Sequence, residues 1–189
     1  INKNNPVIET LGRLMATNPC GEQPLHPFDV CNLGSINLAK MIRPSRKASG
    51  RQVNWKKLEE VVRIGVRFLD NGVDLSRYPI KQIKKMARAN RRIGLGVMGF
   101  ADMLYQMEVG YNSNEGVRVA EKVMGFVNKV GVNESQNLAK EKGVFPNYKG
   151  SEFEKKGLRR RNLAVTTIAP TGTISMVADC SRGIEPVFA

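Results

Sequence analysis

The feature that most constrains the fold is the alternation of long helical patterns with short apolar runs. Between Trp55 and Leu69, apolar residues recur at three- and four-residue steps, which places them on one face of a helix. Asn54 is the expected N-cap of this helix, and Gly72 is its expected end. A shorter helix is predicted over residues 79–89, because a proline opens it and the pattern stays amphipathic.

A second long helix is predicted from Asn114, its expected N-cap, to Gly143. Between the two long helices, Ile93–Gly99 is apolar and glycine-rich, which predicts a buried strand that leads into a helix over 100–107. Leu163–Ala169 is apolar and β-branched and is predicted to be a central strand. Strands that alternate with long helices indicate an α/β architecture.

The net charge of +13 favours phosphate-bearing partners, such as nucleotides or nucleic acid. The basic residues cluster over 81–92 and 155–161, where we interpret most of them as solvated helix faces and loops. A basic nucleic-acid-binding module is one functional alternative. Aromatic residues make up 6% of the sequence, so few side chains are available on which nucleic-acid bases could stack. Nucleic acid is therefore not the expected partner.

Two classes of protein are not expected from this sequence. No apolar run is long enough to span a membrane, and the N-terminal residues do not resemble a signal peptide.

Three cysteines without a secretory signal predict a reducing, cytoplasmic setting. The chain lacks an initiator Met and stops in an apolar, strand-like run, and we therefore expect it to be a piece of a longer protein.

Prolines over residues 1–53 argue against a continuous helix, so Cys20 and Cys31 are expected on or beside loops. Asn18, Cys20 and Glu22 alternate in the sequence, and in an extended segment they would point the same way. A thiol, a carboxylate and an amide on one side could serve one substrate. On the residues alone, an ordinary turn with a buried cysteine is the favoured explanation.

Three other features were considered as sites. His26 lies between two cysteines, but the spacing fits no zinc pattern, so no metal is expected and His26 is predicted at the surface or in a loop. Cys180 is predicted to be a structural thiol. The stretch 171–175 follows an apolar run and combines glycine with hydroxyls, which indicates either a phosphate-binding loop or a plain strand-to-helix turn.

Taken in order, four segments resemble motifs of the ribonucleotide reductase large, catalytic subunit. These segments are Asn18–Leu25, Cys31–Leu38, Arg91–Asp102 and Ala169–Ser175. The resemblance implies that residues 1–189 are part of a ten-stranded α/β barrel. It also implies a central finger loop over about 18–31 and a phosphate loop over about 170–175.

The resemblance assigns roles to individual residues. Cys20 would carry the transient thiyl radical, Glu22 would act as base toward the ribose, and Asn18 would hydrogen-bond the substrate. Cys31 would be one of two cysteines that form a redox disulfide. The residues implied in substrate binding are Asn18, Pro19, Cys20, Gly21, Glu22, Pro170, Thr171, Gly172, Thr173 and Ile174.

The segment around Cys20 is most similar to the vitamin B12-dependent class, which implies adenosylcobalamin as cofactor. The implied partners are a ribonucleotide, a thioredoxin-like reductant and, for the full-length protein, a second copy in a homodimer. The second redox cysteine and a C-terminal cysteine pair would lie outside this chain, and the chain alone is expected to be inactive. An inactive structural fragment of a reductase stays open as an alternative.

Overall fold

The computed structural model describes residues 1–45 and 50–187, which form a mixed α/β structure. The helices are α1 Ile8–Leu11, α2 Trp55–Leu75, α3 Lys81–Asn90, α4 Phe100–Gln106, α5 Asn114–Lys142, α6 Glu152–Lys155 and α7 Gly172–Val177. The strands are β1 Ala16–Thr17, β2 Pro24–Leu25, β3 Asn32–Asn37, β4 Ile42–Pro44, β5 Arg51–Val53 and β6 Ile93–Met98. Short 3-10 helices cover Asn2–Asn4, Leu38–Lys40 and Pro146–Tyr148. The predicted α/β architecture is confirmed.

Strand β6 is the centre of the structure, and all six of its residues are buried. It pairs in parallel with β3, with Asn32 opposite Ile93 at one end and Asn37 opposite Met98 at the other. Helix α2 packs across both strands, and α5 packs against α2. The buried strand predicted over 93–99 and the helix that follows it are confirmed.

The segment Leu163–Ala169 lies along the other side of β6, but the prediction of a central strand there is wrong. It forms one isolated parallel bridge, from Thr166 to Leu95. Two consecutive carbonyls, those of Ala164 and Val165, accept hydrogen bonds from β6 at 3.1 and 2.8 Å. In a regular strand successive carbonyls face opposite sides, so this pairing cannot continue as a ladder.

Helix α2 begins as predicted, because the Asn54 side chain accepts a hydrogen bond from the Lys57 N–H at 3.2 Å. The predicted end at Gly72 is wrong, since the helix continues to Leu75. Phe68 was predicted on the buried face, but it is 74% exposed. The buried residues of the helix are Leu58, Val62, Val66, Leu69, Asp70 and Val73.

Helix α5 ends at Gly143, as predicted, but its N-cap is Ser113 rather than Asn114. The Ser113 hydroxyl accepts the Gly116 N–H at 3.0 Å, which satisfies one of the free amides of the first turn. Asn114 is the first helical residue instead.

Arg91 and Arg92 were predicted on a solvated basic face, but both are buried. They follow the end of α3 and directly precede the buried strand β6, so the chain carries them into the interior. Each has a carboxylate partner there: Arg91 Nε lies 2.9 Å from Asp70, and Arg92 Nε lies 3.0 Å from Asp29. Pairing of this kind offsets the cost of burying a charge.

Two predicted segments extend beyond the described residues. The polar composition of residues 43–50 predicts a surface loop, but this segment is partly replaced by the antiparallel pairing of β4 with β5, and residues 46–49 lie outside the described part. Residues 186–189 read as a short apolar element, but no strand is present at 186–187, and the last two residues are not described. The described strands form three two-stranded sheets and no closed barrel. Within the described ranges, no helix is both long and apolar enough to cross a lipid bilayer.

Candidate functional site

Cys20 lies in the exposed turn of a small hairpin. Strands β1 and β2 pair in antiparallel fashion, and the connecting turn covers residues 18–23. The Asn18 side-chain oxygen accepts the Gln23 N–H at 3.0 Å, and the Asn18 carbonyl accepts the Gly21 N–H at 3.0 Å. Gly21 has φ +82, a conformation that glycine adopts without strain. The position of Cys20 on a loop is confirmed, and its thiol is free and exposed.

The alternation of Asn18, Cys20 and Glu22 does not make them face one way, because the segment is a turn and not an extended strand. The Asn18 amide oxygen is engaged within the turn, whereas Cys20 is exposed. Both carboxylate oxygens of Glu22 are buried and lack a hydrogen-bond partner among the described residues. A buried carboxylate without a partner is costly, and this marks Glu22 as a group that a ligand would satisfy.

Glu22 is fixed by its main chain rather than by its side chain. The Thr167 hydroxyl donates a hydrogen bond to the Glu22 carbonyl oxygen at 3.0 Å. Glu22 and Thr167 line a cavity of about 550 Å³, together with Arg92, Asn128 and Arg160. Neither Cys20 nor residues 170–174 are among the residues that line it.

Cys31 directly precedes β3 and faces the start of β6. A Cβ placed on Gly94 would lie 3.1 Å from the Cys31 sulfur and 2.7 Å from the Thr167 methyl group, so glycine makes room for both. Burial raises the pKa of the Cys31 thiol to about 12. Arg92 acts in the opposite direction, while Asp29 and Glu22 raise the pKa further.

Asp29 is the centre of a buried polar cluster beside Cys31. Its carboxylate accepts hydrogen bonds from Arg92 Nε at 3.0 Å and from Asn90 Nδ2 at 2.9 Å. His26 Nδ1 lies 3.8 Å from the same oxygen, and His26 is only 2% exposed. The prediction of a loop position for His26 is confirmed and that of a surface position is wrong. Residues 1–45 and 50–187 contain no cluster of three or more metal-ligating side chains.

The predicted phosphate loop lies where α7 begins. Thr171 has φ 54, and its hydroxyl accepts the Gly183 N–H at 2.7 Å, which fixes the entry to the helix. A Cβ on Gly172 would meet nothing within 4 Å, so the backbone at this point is open to approach. Thr173 and Ile174 are exposed.

The structure brings some of these residues together and leaves others apart. Glu22, Cys31 and Thr167 meet at the start of β6, and the segment beyond Thr167 leads into loop 170–174. Three residues of chain reach at most about 11 Å, so Thr167 and the start of the loop are close. Cys180 instead packs near Gly99, at the other end of β6.

Sequence reasoning missed Arg92, Asp29, Thr167 and Gly94 as neighbours of the site. One signal was present for Arg92, because an arginine that directly precedes a fully apolar strand is carried toward the interior by the chain. No local pattern marks Asp29 or Thr167. Asp29 lies two residues before Cys31, but its buried partners Asn90 and Arg92 come from a distant segment, and Thr167 reaches the site from a distant segment itself.

Comparison with known proteins assigns this chain to a family. The sequence model of the ribonucleotide reductase barrel domain matches residues 1–160. The chain is 52% identical over its full length to the vitamin B12-dependent ribonucleoside-diphosphate reductase of Thermoplasma acidophilum, of which it covers 24%. It is 50% identical over its full length to the protein of the same name from Mycobacterium tuberculosis, of which it covers 26%.

A relative with a different name is less similar. The ribonucleoside-diphosphate reductase subunit alpha of Chlamydia trachomatis is 33% identical, over 94% of this chain and 20% of the relative. The chain thus spans about a quarter of the length of the vitamin B12-dependent relatives. The match over residues 1–160 and the identity across the whole chain show that it belongs to the ribonucleotide reductase family, as part of the barrel domain.

Proposed function

We propose that the full-length protein reduces ribonucleotides to 2′-deoxyribonucleotides for DNA synthesis by a thiyl-radical mechanism. Residues 1–189 would supply part of a ten-stranded α/β barrel, with the finger loop over about 18–31 and the phosphate loop over 170–175. The observation that carries this proposal is the hairpin of residues 16–25. It exposes the Cys20 thiol and buries a Glu22 carboxylate that has no hydrogen-bond partner in the described part of the chain. The names of the relatives favour a ribonucleoside diphosphate as substrate.

Cys20 would act on the ribose. A ribose C–H bond is too strong for acid–base attack, whereas a sulfur radical can take the 3′-hydrogen atom and return it later. Exposure of the thiol on a hairpin turn supports this role, because the sulfur must reach both its radical source and the substrate. Glu22 would accept the proton of the 3′-hydroxyl, and Asn18, Pro19 and Gly21 would shape the contact surface.

Cys31 would provide one half of the reductant. Two thiols that form a disulfide release the two electrons that the 2′ position requires. The second cysteine of this pair would lie elsewhere in the full-length protein. A thioredoxin-like dithiol would then reduce the disulfide again.

The phosphates of the substrate would lie at loop 170–174. An open backbone at Gly172 and the exposed hydroxyl group of Thr173 are suited to an anion. The close link between Thr167 and Glu22 supports this placement, because one nucleotide must reach both the loop and the hairpin. The residues proposed to contact the phosphates are Pro170, Thr171, Gly172, Thr173 and Ile174.

The relatives' names include vitamin B12, which supports a cobalamin cofactor, and we propose its adenosyl form for this protein. Adenosylcobalamin supplies radical chemistry when bound. The part of this chain that fits such a cofactor is the hairpin turn, where the Cys20 thiol is exposed and free. We further propose that the full-length protein forms a homodimer.

No second function is proposed. Nucleic-acid binding rests on the basic charge, but several arginines are already engaged by carboxylates of the protein itself. Arg91 and Arg92 are buried with carboxylates, and Arg63 and Arg67 pair with Glu134.

The test is a comparison of two cysteine variants in the full-length protein. Cys20→Ser is expected to lower the rate of nucleotide reduction to the rate measured without enzyme, because serine cannot carry the radical. Cys180→Ser is the matched control, since Cys180 lies at the opposite end of β6, and it is expected to retain activity. Circular dichroism and thermal unfolding verify the fold of both variants. Full activity of Cys20→Ser would overturn the proposal.

A further inference from the structure

Arg92 is the immediate neighbour of Cys31 across two parallel strands. Asn32 is opposite Ile93, so the residues before them, Cys31 and Arg92, lie side by side where the strands begin. The Asn32 N–H donates a hydrogen bond to the Arg92 carbonyl oxygen at 3.3 Å, which fixes this register. In a parallel pair, residues in register project to the same face of the sheet.

The Arg92 side chain is held in one place by Asp29. Arg92 Nε lies 3.0 Å from Asp29 Oδ2, and the two side chains are 9% and 0% exposed. Asn90 donates to the same Asp29 oxygen at 2.9 Å, and Asn147 donates to Asn90 at 2.8 Å. The guanidinium is therefore a fixed positive charge rather than a mobile surface group.

Three charged groups face Cys31 among the described residues. Asp29 comes from its own segment, Glu22 comes from the hairpin, and Arg92 comes from the start of β6. Without Arg92 the thiol would face two carboxylates and no positive charge. In a buried region with little screening, each such charge alters the ease with which the sulfur becomes anionic.

We propose that Arg92, anchored by Asp29, is a positioning residue for Cys31 that stabilises the negative charge on its sulfur during thiol–disulfide exchange. This inference rests on the redox role proposed above for Cys31. In the step considered, a thiolate of an external dithiol attacks the sulfur of the second redox cysteine. The bond to Cys31 breaks, its electron pair stays on the Cys31 sulfur, and that sulfur takes up a proton from water.

The other thiolate of the external dithiol then attacks its partner sulfur in the mixed disulfide, and the second redox cysteine leaves with the electron pair and takes up a proton. The external dithiol is thereby oxidised to a disulfide while the protein disulfide is reduced to two thiols. The rate of such a step rises as the pKa of the leaving thiol falls. A fixed guanidinium beside Cys31 thus favours Cys31, rather than the second redox cysteine, as the leaving thiolate. The same charge favours the Cys31 thiolate in the reduced protein, which makes the inference measurable without turnover.

The test measures the alkylation of Cys31 by iodoacetamide in the reduced full-length protein, between about pH 7 and 9, with the labelled peptide quantified by mass spectrometry. Arg92→Gln removes the charge, and Arg92→Lys keeps it. Arg92→Gln is expected to slow alkylation about tenfold at every pH, which corresponds to one unit of thiol pKa. Arg92→Lys is expected to restore most of the rate.

If Arg92 contributed only to packing, Arg92→Gln would loosen the site, expose Cys31 and accelerate its alkylation. Unchanged or faster labelling of Arg92→Gln would overturn the inference, and so would equal slowing in Arg92→Lys. Arg92→Met replaces Arg92→Gln if that variant does not fold. Arg63→Gln, in the ion pairs between α2 and α5, is the control and should label as the wild type does. None of these results depends on nucleotide reduction, so failure here leaves the Cys20 test intact.

Discussion

The Thr167 hydroxyl donates a hydrogen bond to the Glu22 carbonyl oxygen at 3.0 Å, and so joins the hairpin to the segment that leads into loop 170–174. The two residues are far apart in sequence, and each belongs to a different part of the proposed site. The bond therefore couples the position of Glu22 and Cys20 to that of loop 170–174, the proposed phosphate loop.

Thr167→Val tests this coupling. Valine keeps the methyl group that lies over Gly94 and removes the hydroxyl, at a cost of about 1 kcal/mol for the lost bond. If the bond aligns the reacting groups, kcat of the full-length enzyme should fall about fivefold. Thr166→Val is the control, because its hydroxyl bonds to the exposed Asn128 instead. Equal effects of the two substitutions on kcat would contradict the prediction.

Gly96→Ala should destabilise the centre of the structure. The added Cβ would lie 2.3 Å from the Thr167 carbonyl oxygen, and backbone cannot give way as a side chain can. We expect a loss of about 1–3 kcal/mol, seen as faster hydrogen exchange in peptides that cover β6. Gly125→Ala is the matched control on α5, where a Cβ meets nothing within 4 Å. Gly125→Ala should stabilise α5 by up to about 1 kcal/mol. Slower hydrogen exchange of the β6 peptides in Gly96→Ala would refute the packing argument.

Glu134→Gln should reveal a pH-dependent contribution to stability. Burial tends to raise the pKa of Glu134, but hydrogen bonds from Arg63, Asn137 and Arg67 outweigh it and lower the pKa below its ordinary value of 4.5. A lowered folded-state pKa means that the stabilisation is complete above 4.5 and is lost as the pH falls through the folded-state value.

At neutral pH, Glu134→Gln should therefore cost about 1–2 kcal/mol, because the two arginines lose a shared carboxylate. Hydrogen exchange of α2 and α5 peptides measures this difference, which should shrink as the solution is acidified. A difference that is the same at neutral and acidic pH would show that the charge of Glu134 contributes nothing.

The reactivity of Cys31 should rise with pH without reaching a plateau. With a pKa of about 12, its thiolate fraction increases about tenfold per pH unit throughout the range in which proteins stay folded. Glu22→Gln removes one of the two carboxylates that raise this pKa and should accelerate alkylation. Glu9→Gln, which removes a carboxylate paired with the exposed Lys155, is the control. A plateau below pH 9 would contradict the elevated pKa.

Much of the local structure could be read from the sequence. Asn54 caps α2, and the strand over 93–98 is buried, because caps and apolar runs act through neighbours in the chain. The errors have a common origin. Helix α2 continues through Gly72 because packing outweighs the low helix propensity of glycine. Asn32 lies close to this point of the helix, since a Cβ placed on Gly72 would lie 3.1 Å from the Asn32 side-chain amide.

The candidate site divides in the same way. The sequence motifs identify Cys20, Glu22, Cys31 and loop 170–174 as the residues of interest. The tertiary structure alone decides that the Glu22 carboxylate is buried without a partner among the described residues. Its surroundings come from segments far away in sequence, and no local pattern encodes the burial they produce.

What the sequence by itself determined is the α/β class, the buried strand β6 and most of the span of the two long helices, since propensity, capping and apolar patterning are local properties. It also supplied the residues that are proposed to react. Only the tertiary structure decided the electrostatic environment of those residues. Arg92 reads as one more basic residue in a charged cluster, yet it is buried between Asp29 and Cys31. The reason is physical: Coulomb interactions and desolvation depend on distance and burial, which the parallel pairing of β3 with β6 creates.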